Sequence, residues 1–122
     1  MLIRVDRNAA GPLHEQVADA IRTAVLDGDA TRGERLPAAR ELAESLNISL
    51  HTVLRAYQEL RDEGLIELRR GTGAVVIGLP DNVARDAIRI LDDAVTRLRD
   101  LGVPPSVALE LFRHRFPATR TM

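Results

Sequence analysis

The sequence predicts a mainly α-helical fold with one small β-hairpin, an N-terminal winged helix-turn-helix over residues 1–79 followed by a two-helix segment over 80–122. Three observations carry this expectation. Among 122 residues only Tyr57, Phe112 and Phe116 are aromatic, so a core has to be built from Ala, Val, Ile and Leu, a composition that favours packed helices over an aromatic-rich sandwich. Apolar residues recur at spacings of three and four along most of the chain, as one face of a helix requires. Two of the helical patterns are separated by only about three residues, the joint of a helix-turn-helix, and two β-prone runs around a glycine-rich tip follow at once.

The elements follow in order. Leu2-Ile3-Arg4-Val5 alternates enough for a short strand, and Asn8 to Gly11 reads as a turn before Pro12, a residue suited to the first turn of a helix. Leu13, Val17, Ala20, Ile21, Ala24 and Val25 then make one apolar face, predicting a helix from Pro12 to Asp27 that Gly28 ends. Asp29 to Glu34 reads as a polar loop. A shorter helix carries Leu42, Ala43 and Leu46 and stops at Asn47, which tolerates the left-handed backbone of a helix end. Ser49 is a suitable N-cap for a third helix bearing Val53, Leu54, Ala56, Tyr57 and Leu60, terminated by Gly64. Leu65–Leu68 and Ala74–Ile77 are the hairpin strands, with Arg69-Arg70-Gly71-Thr72-Gly73 at its tip.

Gly78-Leu79-Pro80 marks the boundary, since Pro80 and the residue before it resist helix. Beyond it a long helix is predicted from Asp81 or Asn82 to Gly102. Ala84, Ala87, Leu91, Ala94, Leu98 and Leu101 step by three and four, and Ile88 and Val95 widen the stripe to one fit for burial against another helix. Pro104-Pro105-Ser106 opens a last helix with Val107, Leu111 and Phe112 on one side, and the tail from Pro117 is expected to fray.

Composition excludes several functions. Without cysteine there is no disulfide framework, thiol nucleophile, iron–sulfur cluster or Cys-based zinc site. His14, His51 and His114 fall on different predicted helices at no metal-ligand spacing, and no glycine loop has a phosphate-binding pattern. The chain is therefore read as a non-enzyme without metal or cofactor. No apolar run approaches the roughly 18 residues of a membrane span, and the charged start lacks a signal-peptide core, so a cytoplasmic protein with no membrane partner is expected. Seventeen arginines against eighteen acids give a net charge of -1, which disfavours indiscriminate coating of a polyanion. The distribution is more informative: Ser45–Gln58 and Leu68–Pro80 contain no acid, while Glu59, Asp62, Glu63 and Glu67 crowd the stretch between them.

Pro12-Leu13-His14-Glu15-Gln16-Val17, Gly33-Glu34-Arg35-Leu36-Pro37-Ala38-Ala39-Arg40-Glu41-Leu42-Ala43 and Thr52-Val53-Leu54-Arg55-Ala56-Tyr57-Gln58-Glu59-Leu60 together resemble the DNA-binding domain of GntR-family bacterial transcription regulators. The resemblance runs from about Leu2 to Ile77 and includes Glu63-Gly64-Leu65-Ile66 and the wing glycines. The short remainder after Pro80 is similar to the YtrA-like subgroup, in which two C-terminal helices chiefly make a dimer. What the resemblance implies is a homodimeric repressor on a palindromic double-stranded DNA operator, with the seam at Ala84, Ala87, Ile88, Leu91, Ala94, Val95, Leu98 and Leu101. The third helix would enter the major groove with its N-terminal half, where the free N–H groups and the helix dipole favour phosphate. Ser49, His51, Thr52 and Arg55 are its candidates, Arg40 stands where the family commonly reads DNA from the second helix, and Arg69, Arg70, Gly71, Thr72 and Gly73 would meet phosphate or the minor groove. Most have a competing use: Ser49 as a helix cap, Arg40 paired with Glu44, Arg55 paired with Glu59, the wing as a tight turn; an exposed His51 and Thr52 have little to do for the core.

The chain departs from the family pattern in places. Ala38 replaces the usual Ser cap, a loss of about 1 kcal/mol, and Leu50 and Leu54 replace residues that are often basic. His51 and Arg55 are the nearest polar substitutes. The alternative function is a winged helix that meets protein, or an architectural module without sequence-specific readout. Steep salt dependence separates DNA binding from it. A small-molecule effector stays open, although two short helices are expected to leave little volume for a pocket of several hundred cubic ångströms.

Overall fold

The computed structural model describes residues 3–9 and 11–116, so Leu2 and the tail from Pro117 lie outside the described residues. The chain divides into two compact units, Met1–Leu79 and Pro80–Met122.

The first unit contains α1 (Leu13–Leu26), α2 (Ala39–Leu46), α3 (Leu50–Asp62), β1 (Ile66–Arg69) and β2 (Gly73–Val76). Helix α3 is its hub, packing on α1, α2 and β1. Val17, Ala18 and Ile21 of α1, Leu42 and Ala43 of α2, Val53, Ala56 and Leu60 of α3, and Ile66 and Val76 of the hairpin share one aliphatic core. The periodicity of each helix thus describes the face it buries. Leu54 is the exception: the sequence groups it with the third helix's apolar residues, but it lies about 100° round the helix from Val53 and is 40% exposed.

Stops fall where the residue types allow a left-handed backbone. Asn47, at φ 56°, ends α2 while Ile48 N–H donates to Ala43 O at 3.0 Å, which makes the tight joint of the helix-turn-helix. Ala38 at the start of α2 supplies no side-chain acceptor, so only the reciprocal half of a capping box forms, Ala38 N–H donating to Glu41 Oε1 at 3.3 Å.

The hairpin is antiparallel, with Ile66 opposite Val76 and Arg69 opposite Gly73. Its strands sit one residue from the expected limits, leaving Arg70, Gly71 and Thr72 as the tip. The polar loop continues into something the sequence did not suggest: Arg35 bridges Val75, with Val76 N–H donating to Glu34 O and Leu36 N–H to Ala74 O, both at 2.9 Å. The free edge of β2 is covered in this way. The strand expected at Leu2–Val5 does not form over its described residues 3–5. Its alternation finds no strand edge to pair with, and the backbone just beyond is held by a side chain instead: Gln16 Oε1 accepts from Asp6 N–H at 2.7 Å and Gln16 Nε2 donates to Asp6 O at 2.9 Å.

Tyr57, 4% exposed, ties α3 to the segment before α2 by donating its hydroxyl to Pro37 O at 2.6 Å. Burial, with Glu41 nearby, pushes this hydroxyl well above its ordinary pKa of 10.0. Tyr57→Phe is expected to lower the unfolding free energy by about 1 kcal/mol in urea titrations. A raised folded-state pKa means that the stabilisation is complete below the unfolded value and declines as pH rises past 10.0. The Phe variant should lack that alkaline component.

The second unit comprises α4 (Asp81–Asp100) and α5 (Pro105–Arg115), neither of which buries a single residue. Eleven of the fifteen exposed large apolar side chains of the described residues belong to it, among them Ile88, Ile90, Leu91, Val95 and Phe112. A crevice of about 360 Å³ opens between the two helices, lined by Val95, Leu98, Val103, Pro105, Ala108 and Leu109. Gly102, at φ 81°, turns the chain between the two helices, and the crevice lies half open to solvent. No helix among the described residues is long and apolar enough to cross a membrane.

Candidate nucleic-acid interface

Helix α3 starts from Ser49, whose Oγ accepts the Thr52 N–H at 3.1 Å and lies 2.7 Å from the Thr52 hydroxyl. Both side chains are therefore used in the cap. No acid stands in the first turn, so the positive end of the helix dipole is uncompensated. Opposite the buried Val53, Ala56, Tyr57 and Leu60, the helix presents His51, Leu54, Arg55 and Gln58, all exposed. Leu50 behaves differently from Leu54 and packs against the core.

Two of the acids at the end of α3 turn to α1, whereas Asp62, exposed and paired with Arg61, continues the strip of Arg55 and Gln58 at the far end of the helix. Glu59, which the sequence offers to Arg55 four residues earlier, lies 3.4 Å from His14 Nδ1 and 3.7 Å from Arg22 on α1. Glu63 takes a two-pronged contact from Arg22, Nε to Oε1 at 2.8 Å and Nη2 to Oε2 at 2.6 Å. That hydrogen bond is the leading cause of a raised Arg22 pKa. His14 is thus a packing residue against α3, with a buried Nδ1 that finds no hydrogen-bond partner among the described residues.

Tying Glu59 and Glu63 to α1 leaves the cations near the start of α3 without an acidic partner. Arg40, in the first turn of α2, and Arg55 are exposed and form no ion pair with any described residue, so neither the Glu44 nor the Glu59 pairing occurs. The wing is divided. Arg69 is paired with Glu67 on its own strand, whereas Arg70, exposed at the tip, has no such partner among the described residues. Thr72 N–H closes the tip on Arg69 O at 3.2 Å. Gly71 and Gly73 adopt φ of 81° and 88°, a backbone that other residues reach only with strain. Between the start of α2, the flank of α3 and the wing runs a groove of about 440 Å³ whose lining includes Pro37, Leu54, Leu68 and Arg70.

Of the residues singled out in the sequence, Arg69, Arg70 and Gly73 of the wing line this groove beside Leu54, while Arg40, Ser49, His51, Thr52 and Arg55 are not among its lining residues. The sequence reasoning missed Leu68 at the groove, Ile90 on α4 and Leu109 on α5. Ile90 falls outside a stripe counted strictly in steps of three and four, and Leu68 looks like ordinary strand alternation. No group of three potential metal ligands occurs among the described residues.

Comparison with known proteins identifies the family. The model for bacterial regulatory proteins of the gntR family matches residues 13–76. The chain is 35% identical over 97 residues to the HTH-type transcriptional repressor STM4068 of Salmonella typhimurium, covering 75% of this chain and 40% of that one. It is 36% identical over 75 residues to the HTH-type transcriptional repressor YtrA of Bacillus subtilis, covering 62% and 58%. The chain thus spans between two-fifths and three-fifths of the length of these two curated relatives. Among solved structures, YtrA from Sulfolobus acidocaldarius, a GntR-family transcription factor, superposes with a TM-score of 0.61 at 30% identity, over 80% of this chain and 99% of that one. A helix-turn-helix with its wing, matched across more than half of its residues by one family model, makes this chain a member of the GntR family of bacterial transcription regulators.

Proposed function

We propose that the chain is a sequence-specific repressor that binds a palindromic double-stranded DNA operator as a homodimer in the cytoplasm, α3 lying in the major groove and the wing against the flanking backbone or minor groove. The observation that carries this reading is the sorting of charge around α3, with Glu59 and Glu63 held by α1 and with Arg40, Arg55 and Arg70 exposed and unpaired among the described residues. Phosphate attracts such a surface, and arginine can also address a guanine edge through two hydrogen bonds. The α4 stripe supports the homodimer, since Ile88, Leu91, Val95 and Leu101 are exposed and no residue of α4 is buried, Ala84, Ala87, Ala94 and Leu98 being half-buried.

Arg40→Ala tests this reading. If Arg40 reads a base, binding to a duplex selected by the protein should weaken by about 1–3 kcal/mol with little change on random DNA. If it holds phosphate alone, both should weaken alike and the salt dependence should flatten. Unchanged binding to both duplexes, or affinity insensitive to salt in the wild type, would count against the DNA-binding reading and favour a protein partner.

A further inference from the structure

Four exposed large apolar side chains occur in the described residues of the first unit. Leu26 ends α1 and Leu79 sits at the unit boundary, while Leu54 and Leu68 both line the groove between α3 and the wing. Leu54 is 40% exposed in the middle of the polar strip of α3, with His51 one turn before it, Gln58 one turn after, and Arg55 beside it. It does not join the core, as Leu50 does. The surrounding charge is that of a surface facing a polyanion, because Arg55 beside it and Arg70 in the same groove are exposed and the stretch Ser45–Gln58 holds no acid. An apolar side chain carried into the major groove on such a surface meets one apolar feature on the base edges, the C5-methyl group of thymine.

We propose that Leu54 is a specificity-determining residue that reads thymine in the operator by packing its side chain against the C5-methyl group. This rests on the DNA-binding function proposed above and adds the base class that one residue selects. Leucine has no donor or acceptor, so it contributes no hydrogen bond to any base. Contact with a methyl removes apolar surface from water on both partners, whereas cytosine offers only a C5 hydrogen at that place and an exocyclic amine beside it. Leu68, across the groove at 41% exposure, makes the neighbourhood of Leu54 apolar enough to disfavour a fully hydrated base edge.

The test uses deoxyuridine, which differs from thymidine by the methyl group alone. Duplexes enriched by the full chain from a random-sequence pool are titrated by fluorescence anisotropy, with each thymine of the half-site replaced singly by uracil. The expected result is a loss of about three- to fivefold at one or two positions for the wild type. Leu54→Ala, at an exposed site that does not threaten folding, should bind the thymine duplex more weakly by a similar factor and become indifferent to uracil there. Leu54→Met, of similar volume, should keep the sensitivity. Three outcomes overturn the proposal: unchanged affinity at every uracil position, uracil sensitivity that Leu54→Ala retains in full, or an enriched half-site without thymine. Failure of the pool to enrich any duplex would instead remove the DNA-binding function itself, and with it this role for Leu54.

Discussion

Leu60→Ala is expected to remove most of the stability of the first unit and, with it, DNA binding. Leu60 has no solvent exposure and stands on the one helix that contacts α1, α2 and β1 together. Deleting three side-chain carbons there leaves a cavity that three elements would have to collapse around, a change that typically costs about 2–5 kcal/mol. A core in a unit of this size rarely supplies more than about 3–5 kcal/mol net. Thermal unfolding followed by circular dichroism should therefore show a large drop in midpoint or the loss of a cooperative transition. Leu54→Ala, six residues away on the exposed side of the same helix, should stay within about 0.5 kcal/mol of wild type. Near-equal effects of the two substitutions would mean that α3 is not the hub of the core.

The contrast between these two leucines shows what a sequence conveys. Both lie in one apolar-rich helix, and a list of apolar residues groups them together; only their angular positions relative to Val53 and Tyr57 separate core from surface. Local signals were readable because their causes are local. Asn47 tolerates φ 56°, Ser49 can cap its own helix, and the glycine-rich tip turns within five residues. Pairings across the fold have no such signature. Nothing in the spacing of Asp29–Glu34 announces that the next residue, Arg35, will bridge Val75, and residues 3–5 alternate without a strand partner among the described residues that would make alternation matter. The charge pattern behaves in the same way. Glu59 is four residues from Arg55, a favourable helical spacing, yet it turns to His14 and Arg22 because α1 packs along that side of α3. That choice left Arg55 available at the candidate interface, and the sequence alone held both possibilities open.

Leu91→Asp should separate the proposed dimer and reduce operator affinity by about 10²–10⁴-fold. Leu91 is 45% exposed in the middle of the α4 stripe and does not line the crevice beside α5, so the substitution leaves the contacts of its own unit in place. Leu98 and Val95 are less suitable because they line that crevice. In a helix pair related by a two-fold axis, a central carboxylate would lie in an apolar seam close to its own copy, combining the cost of desolvation with like-charge repulsion. The consequence for DNA follows from linkage. One winged helix makes few contacts, and the second half-site is gained almost without further loss of translational freedom only while the two copies are joined, which also fixes half-site centres about one helical turn apart. Sedimentation should show a monomer, and binding to a duplex with a single half-site should differ from wild type by less than about twofold while binding to the full palindrome collapses. A segment ending at Pro80 should behave like Leu91→Asp on both duplexes. If Leu91→Asp stayed dimeric with full affinity, the seam would lie away from this stripe; if it were monomeric with full affinity, one winged helix would suffice and the palindrome would have no role.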